Sequence, residues 1–245
     1  MAGFIFSLPI ALMSYINSSF IASFVGEKSV SIIYALGSIS SILALLLASK
    51  ILIKIGGYKF LLWIIFLDSL SILLFAFAQN AGSAILLFIF GFTLNILIYF
   101  SLDELLKISS EDSSIGKIRG TYLALCSLAW IIAQLALGTI LGGVSFKIIY
   151  LVSFILMLIF FVISYSRLKY ISDPNYDKIN TRKYLGKFIQ MKNLFRAYSI
   201  SFLLQFFYCW MVIYTPIYLS LHLGFSWKEI GLIFAIMLLP FFIIP

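Results

Sequence analysis

The stretch LLLASKILIKIGGYKFLLW (Leu45–Trp63) decides the fold, because three lysines and a Gly-Gly pair interrupt two long apolar segments. Each apolar segment is long enough to cross a membrane as a helix, since about 20 residues at 1.5 Å per residue span a bilayer core of about 30 Å. Basic residues beside a span stay in the cytoplasm during insertion. The stretch is therefore predicted to be a cytoplasmic turn between two membrane helices.

The composition of the whole chain agrees with that prediction. Of its 245 residues, 63% are hydrophobic and 11% are charged, whereas a soluble domain is about half apolar and a quarter charged. The apolar segments are too long and too continuous for tilted strands, which predicts an all-α polytopic membrane protein surrounded by lipid. Eight segments are predicted to be membrane helices: Phe4–Val25, Ser29–Leu52, Phe60–Phe77, Ser83–Leu105, Ile118–Gly142, Ile148–Ser166, Ala197–Leu219 and Trp227–Pro245.

The distribution of basic residues predicts the orientation. With a cytoplasmic N-terminus, only Lys28, Lys147 and Lys228 of the 17 lysines and arginines would lie outside. Positive residues accumulate on the cytoplasmic side, so we expect a multi-pass protein of the inner or plasma membrane with its N-terminus in the cytoplasm. The net charge of +8 is thus an orientation signal. No nucleic-acid partner is expected, because no basic patch is interleaved with exposed aromatic residues.

Three parts are predicted along the chain: residues 1–167 form a six-helix bundle, 168–196 a cytoplasmic linker, and 197–245 the first two helices of a second bundle. In the linker, Tyr184 and Phe188 share one face with neighbouring apolar residues, and basic residues occupy the others. This pattern favours a short amphipathic helix on the inner leaflet; a plain basic linker is the alternative. We expect about four further helices of the same protein to complete the second bundle.

The cytoplasmic turn also carries a family resemblance. It reads SKILIKIGGYK over residues 49–59 and resembles the loop between helices 2 and 3 of the major facilitator superfamily, roughly Gly-x-x-x-Asp-Arg-x-Gly-Arg-Arg. Lys54 occupies the Arg position, Gly56 the loop Gly, and Lys59 a closing basic position. A serine replaces the first Gly, and Ile53 replaces the Asp. Because that Asp helps to lock the inner gate in the family, the lock is expected to be weaker or built differently here.

A second stretch, DELLKISSEDSSIGKIRGTYL (Asp103–Leu123), resembles the connection between helices 4 and 5 of the same superfamily. It has an acid at the end of helix 4 and a Gly-x-x-Arg-Gly-like start of helix 5. The antiporter signature of helix 5 is not met, since AQLALG (Ala133–Gly138) lacks its Gly-Pro. The resemblance implies secondary active transport of a small solute by alternating access around a site at the membrane midplane.

Asp68 is the most informative single residue, because it lies near the middle of the third predicted span. An ionised carboxylate there costs about 2.5–3.5 kcal/mol on insertion scales, and no Lys or Arg lies at comparable depth. A protonatable acid in a membrane pathway is what proton coupling requires, so Asp68 is the candidate coupling residue. The alternative is a permanently neutral Asp68 that hydrogen-bonds to Ser38, Ser41 or Ser71.

The resemblance also implies which residues bind the substrate, because the family builds its cavity from helices 1, 4, 7 and 10. Buried amides need polar partners in hydrocarbon, so they should face the bundle or a wet cavity. Hydrogen bonds between helices, without a role in binding, explain them equally well. An uncharged or weakly polar small molecule is expected, since none of the candidates is charged. These candidates are Tyr15, Asn17, Asn95, Gln205 and Tyr208.

At the cytoplasmic mouth, Lys54, Asp103, Glu104 and Arg119 are predicted to form a gate whose ion pairs break and reform during transport. The alternative is that these charges only orient the chain and solvate its loops. The fifth span is lined with small residues, which favour close helix packing. They are Ala129, Ala133, Gly138 and Gly142.

The sequence contains few of the motifs that enzymes use for catalysis. It has no Gly-rich phosphate loop and no Ser or Cys nucleophile beside a base. The single histidine, His222, has no neighbouring Cys or acid cluster for a metal ion, so neither a metal nor a cofactor is expected. Two alternatives to a transporter stay open: an intramembrane lipid-modifying enzyme that uses Asp103, Glu104 or His222, and a non-transporting scaffold or sensor that binds partners through the linker.

Overall fold

The computed structural model describes residues 2–108, 115–141, 145–170 and 191–243. These residues form eight α-helices and no β-strand, which confirms the all-α class. A 3₁₀ turn (Leu168–Tyr170) follows the sixth helix, and a π-helical turn (Tyr218–His222) follows the seventh. The helices are α1 (Ala2–Val25), α2 (Glu27–Ile55), α3 (Gly57–Ala76), α4 (Ala81–Ile108), α5 (Ile115–Leu141), α6 (Phe146–Arg167), α7 (Lys192–Ile217) and α8 (Trp227–Ile243).

Seven of the described helices, α1 to α7, are long and apolar enough to cross a membrane. The chain is therefore a multi-pass membrane protein. The eighth predicted span corresponds to α8, which has 17 residues. At 1.5 Å per residue, α8 is about 25 Å long, slightly less than the bilayer core of about 30 Å.

The turns on either side of α2 are shorter than the sequence suggested. Gly26 separates α1 from α2, and Gly56 separates α2 from α3; their φ angles are 77° and 81°. Only glycine adopts such angles readily, so the chain leaves one helix and enters the next through a single residue. Lys50 and Lys54, predicted to lie in a cytoplasmic turn, are therefore residues of α2.

The first six helices pack as two matching sets of three. α1 packs against α5 and α6, α4 packs against α2 and α3, α3 packs against α6, and α1 meets α4. If α1, α2 and α3 are exchanged for α4, α5 and α6, the contacts of α1 with α5 and α6 become those of α4 with α2 and α3. The α3–α6 and α1–α4 contacts map onto themselves. The contact between α1 and α2 departs from this symmetry, since it is larger than that between α4 and α5 in the described ranges. A set of three spans ends on the opposite side from its start, so the two sets are inverted relative to each other.

The last two helices pack against the first six mainly through α5 and α1. α8 lies along α5, and α7 meets α1. The buried side chains of α8 are Ile230, Phe234 and Ala235, all in its first half. In α7 they lie near its end, whereas almost every residue from Lys192 to Phe207 is exposed. The contact therefore lies at the end of the bundle that the lysine distribution places outside.

Two glycines bring α5 and α8 unusually close. A Cβ added to Gly231 would lie 2.5 Å from the backbone oxygen of Gln134, and one added to Gly138 would lie 3.0 Å from the Cα of Lys228. The predicted close packing of Gly138 is thereby confirmed, and its partner is α8. Ala129 and Ala133 are buried in the same helix; Gly142 lies outside the described residues.

The linker can be followed only at its two ends. The amphipathic helix predicted around Tyr184 and Phe188 lies outside the described residues. α7 begins at Lys192, before the predicted start at Ala197. The last residues assigned to the linker are therefore helical.

Candidate functional site

A cavity of about 230 Å³ lies between α1, α3 and α4, near the middle of these helices. Tyr34 of α2, Trp130 of α5 and Val212 of α7 complete its walls. Three polar side chains with acidic or amide groups line it: Asp68 near the middle of α3, Asn95 of α4 and Asn17 of α1. Asp68, Asn17 and Asn95 were assigned to function from sequence, and the fold brings all three to one cavity.

Asp68 is fully buried, and its two carboxylate oxygens differ. Oδ1 accepts a hydrogen bond of 3.2 Å from Nδ2 of Asn95, whereas Oδ2 has no partner. The same Nδ2 donates a bond of 2.7 Å to the carbonyl oxygen of Gly91, and Oδ1 of Asn95 is buried without a partner. The pair therefore presents two acceptor atoms that the described residues leave unpaired.

The serine partners considered for Asp68 are engaged elsewhere. Ser38 and Ser41 donate to carbonyl oxygens within α2, those of Tyr34 and Gly37. Ser71 donates to the carbonyl oxygen of Leu87 in α4. None of these three serines donates to Asp68, because a hydroxyl in a helix readily bonds to a carbonyl in its own or a neighbouring helix. A permanently neutral Asp68 stays a prediction.

Gly91 explains why Asn95 reaches Asp68. A Cβ at Gly91 would lie 3.1 Å from Oγ of Ser71 and 3.7 Å from Oδ1 of Asp68. A Cβ there would be tight against Ser71, so the absence of a side chain at Gly91 favours the close approach of α4 to α3. Asn95 lies one turn beyond Gly91 on the same face, and its amide therefore reaches the carboxylate.

Asn17 is held by a residue that sequence reasoning missed. The hydroxyl of Tyr150, from α6, donates a bond of 2.8 Å to Oδ1 of Asn17, and Tyr150 is fully buried. Nothing in the local sequence marks Tyr150, since an apolar helix with one tyrosine has the same pattern whether the hydroxyl is bonded or not. The bond fixes the orientation of the Asn17 amide at the cavity wall.

The rest of the cavity is mostly apolar, and six of its side chains are aromatic. Its rings pack on one another, with centroids 4.7 Å apart for Tyr34 and Phe88 and 5.6 Å apart for Phe88 and Phe92. None of the described residues that line the cavity is Lys, Arg or His. The aromatic side chains at its walls are Tyr34, Phe75, Phe88, Phe92, Tyr99 and Trp130.

Tyr15, Gln205 and Tyr208 do not line this cavity. Successive helical residues are about 100° apart, so Tyr15 faces away from Asn17. Its ring instead stacks on Phe234 of α8, with centroids 4.2 Å apart. Gln205 is exposed and Tyr208 half-buried on the part of α7 that leaves the bundle. The assignment of these three residues to the substrate site is not supported by their positions.

The four residues predicted to form a cytoplasmic gate include one ion pair. Nη2 of Arg119 lies 2.6 Å from Oδ1 of Asp103, which ties α5 to α4. Both side chains are nearly half exposed, so the pair contributes only about 0–1 kcal/mol. Lys54 forms no ion pair with the described carboxylates. The four predicted gate residues thus yield one ion pair, between two helices of the first six.

The opposite end of the bundle has contacts that the sequence did not predict. Nε2 of His222 lies 3.1 Å from Oε2 of Glu27 at the start of α2. The rings of Phe146 and Trp227, at the starts of α6 and α8, meet edge to face with centroids 5.6 Å apart. In the sequence, His222 has no Cys or acid cluster beside it. Its partner is 195 positions away, and no local sequence pattern marks such a contact.

Comparisons with known proteins add no family to this description. No protein-family model matches the sequence, and no curated protein is similar to it. Within the described ranges, no three His, Cys, Asp or Glu side chains come together as a metal site would need.

Proposed function

We propose that the protein is a secondary transporter that carries a small solute by alternating access, and that the cavity around Asp68 is its solute site. One observation carries the proposal: a fully buried carboxylate, with one oxygen unpaired, lines a cavity midway along the membrane helices. Such a group lowers stability in hydrocarbon. A bundle with only a packing role would be more stable with an apolar residue there, so Asp68 is best explained by a ligand or a proton.

The pairing of the helices supports the proposed membership in the major facilitator superfamily. Inverted sets of three helices nested within a six-helix half are a feature of that superfamily. The resemblance implied a cavity built by helices 1, 4, 7 and 10. α1, α4 and, through Val212, α7 contribute to the cavity, whereas α3, which supplies Asp68, was not among the implied helices. α1 and α4 are also equivalent under the exchange of the two sets.

The contacts between α7–α8 and the first six helices support an inward-open state. They lie at the predicted outer end, where Glu27 approaches His222 and Phe146 meets Trp227. The predicted cytoplasmic half of α7 is exposed. In the proposed cycle, the outer contacts separate while the inner ends of the helices approach, and the solute in the cavity changes its side of access.

Neither alternative function has an observation in its favour. A lipid-modifying enzyme would need its acids and its histidine together. Asp103 lies near the end of α4 and pairs with Arg119, whereas His222 contacts the start of α2 at the other end of the bundle. The partner-binding linker of a scaffold or sensor lies largely outside the described residues.

The test is transport by the full-length protein reconstituted in vesicles that contain a pH-sensitive dye. We expect at least one solute from a panel of small amines, alcohols, sugars and carboxylates to move protons and to accumulate against its gradient. Asp68→Asn should reduce gradient-driven accumulation at least tenfold, because the amide cannot exchange a proton. Ser69→Ala is the matched control, since Ser69 is buried beside Asp68 but bonds only to the carbonyl oxygen of Ile65.

Two results would count against the proposal. If folded protein moves no solute of the panel, the transporter function is not supported. If Asp68→Asn accumulates solute as well as the unmodified protein, the cavity can still bind solute, but Asp68 has no part in coupling.

A further inference from the structure

The cavity presents hydrogen-bond acceptors for which the described part of the chain supplies no donor. Oδ2 of Asp68 and Oδ1 of Asn95 are both buried, and both lack a partner among the described residues. They belong to side chains that are themselves joined by a 3.2 Å hydrogen bond. An ionised carboxylate only accepts hydrogen bonds, so a ligand that satisfies this pair must bring the donors.

The side chains that line the cavity also favour a cationic solute over an anionic one. Six aromatic side chains line the cavity, and the face of an aromatic ring attracts cations. No Lys, Arg or His among the described residues lines the cavity, so an anionic solute would meet the carboxylate without a compensating charge. The unpaired acceptor atoms and the aromatic walls therefore both favour a ligand that is cationic and donates hydrogen bonds.

We propose that the solute is a small organic ammonium ion with at least two N–H groups and an apolar or aromatic body. This inference rests on the proposed role of the cavity as the solute site. The ammonium group donates to Oδ2 of Asp68 and Oδ1 of Asn95, and the aromatic walls surround the body. The sequence alone favoured an uncharged solute, because only the amides were assigned to the cavity; the fold adds Asp68 to the same walls.

The size of the cavity limits the body of the solute. Its volume of about 230 Å³ is below the roughly 300–1,000 Å³ typical of pockets for drug-sized ligands. A monoamine with a single ring is therefore a suitable probe. Phenethylamine, 2-phenylethanol and 3-phenylpropanoate share one ring and a short chain but carry a cationic, a neutral and an anionic head.

Binding of these three probes to the purified full chain in lipid nanodiscs can be measured by titration calorimetry at neutral pH. We expect phenethylamine to bind at least tenfold more tightly than 2-phenylethanol, and 3-phenylpropanoate to show no binding. This comparison uses the unmodified protein, so it does not depend on whether a variant folds. Asp68→Asn should weaken phenethylamine binding at least tenfold and reduce its preference over 2-phenylethanol, while Ser69→Ala should leave the binding of both probes unchanged.

The outcomes separate this inference from the proposed function. Equal binding of the amine and the alcohol, preference for the carboxylate, or no measurable amine binding overturns the cation site, whatever the transport assay shows. Amine binding that depends on Asp68, in protein that transports nothing, supports the cation site and counts against the transporter. Transport of an anionic or uncharged solute without amine binding supports the transporter and overturns the cation site.

Discussion

At the scale of single residues, the pair of Asp68 and Asn95 makes the cavity polar but lowers the stability of the folded protein, because two buried acceptor atoms lack partners among the described residues. Removing one partner leaves the other buried and unpaired, which costs about 1–3 kcal/mol, whereas replacing both by apolar groups is close to neutral. We therefore expect Asn95→Leu to lower the free energy of unfolding by about 1–3 kcal/mol. Asp68→Leu combined with Asn95→Leu should restore or exceed the original stability while abolishing amine binding. Unfolding in mixed micelles measures the first effect and calorimetry the second.

The variant with both leucines distinguishes the loss of a polar partner from a loss of packing. A protein with both leucines that is as unstable as the two single variants together would contradict the view of an unsatisfied pair, because the loss would then come from packing. Ser69→Ala serves again as the control, since it removes one hydrogen bond to a backbone carbonyl at the same depth.

Sequence reasoning identified the members of this site but not their arrangement. Asp68, Asn95 and Asn17 could be singled out because a polar group in an apolar helix is unfavourable wherever it faces. That Asp68 pairs with Asn95 depends on the register of α3 against α4, which Gly91 permits by its lack of a side chain. For Tyr15 and Asn17, two positions apart on α1, composition alone could not decide which one faces the cavity.

At the scale of helices, the closest contact lies between α5 and α8, and it can be tested by adding single methyl groups. Gly231→Ala places a Cβ 2.5 Å from the backbone oxygen of Gln134, which cannot rotate away as a side chain can. We expect a loss of about 1–3 kcal/mol from overpacking. Gly120→Ala in α5 is the matched control: its Cβ meets nothing within 4 Å, so alanine should stabilise the helix by about 0.5–1 kcal/mol.

Thermal unfolding of the two variants side by side measures the difference. Equal melting temperatures would show that the helices are not in backbone contact at Gly231. Because the substitution is the same in both helices, an effect of helix propensity alone would move both variants in the same direction.

Which stretches form helices could be predicted from sequence, whereas most of their partners could not. Long apolar segments must satisfy their backbone hydrogen bonds internally in lipid, so composition locates the helices almost without reference to the rest of the chain. Pairing depends on shape, and all these helices are apolar on every side. Gly138 was an exception, since its small-residue spacing marked a packing face, although α8 could not be named as its partner. The one-residue turns at Gly26 and Gly56 escaped prediction because lysines near a helix end resemble loop residues.

At the scale of the whole molecule, alternating access requires the contact between Glu27 and His222 to open. Glu27→Cys combined with His222→Cys, in protein with Cys126 and Cys209 replaced by alanine, allows a short dithiol-reactive reagent to join the two sides. We expect cross-linking to reduce transport at least tenfold while leaving amine binding intact, because the outer end of the pathway would stay closed. A reductant that cleaves the cross-link between the two cysteines should restore transport.

The matched control joins two helices within the first six. The hydroxyl of Tyr58, from α3, donates a bond of 2.9 Å to the carbonyl oxygen of Tyr165, from α6. These helices belong to the group that moves together in the proposed cycle, so a cross-link between Tyr58→Cys and Tyr165→Cys should leave transport unchanged. Transport at the original rate after complete cross-linking of the outer pair would mean that α7 and α8 do not move away from α2. If cross-linking of the Tyr58→Cys and Tyr165→Cys pair alone abolishes transport, the first six helices rearrange among themselves during the cycle.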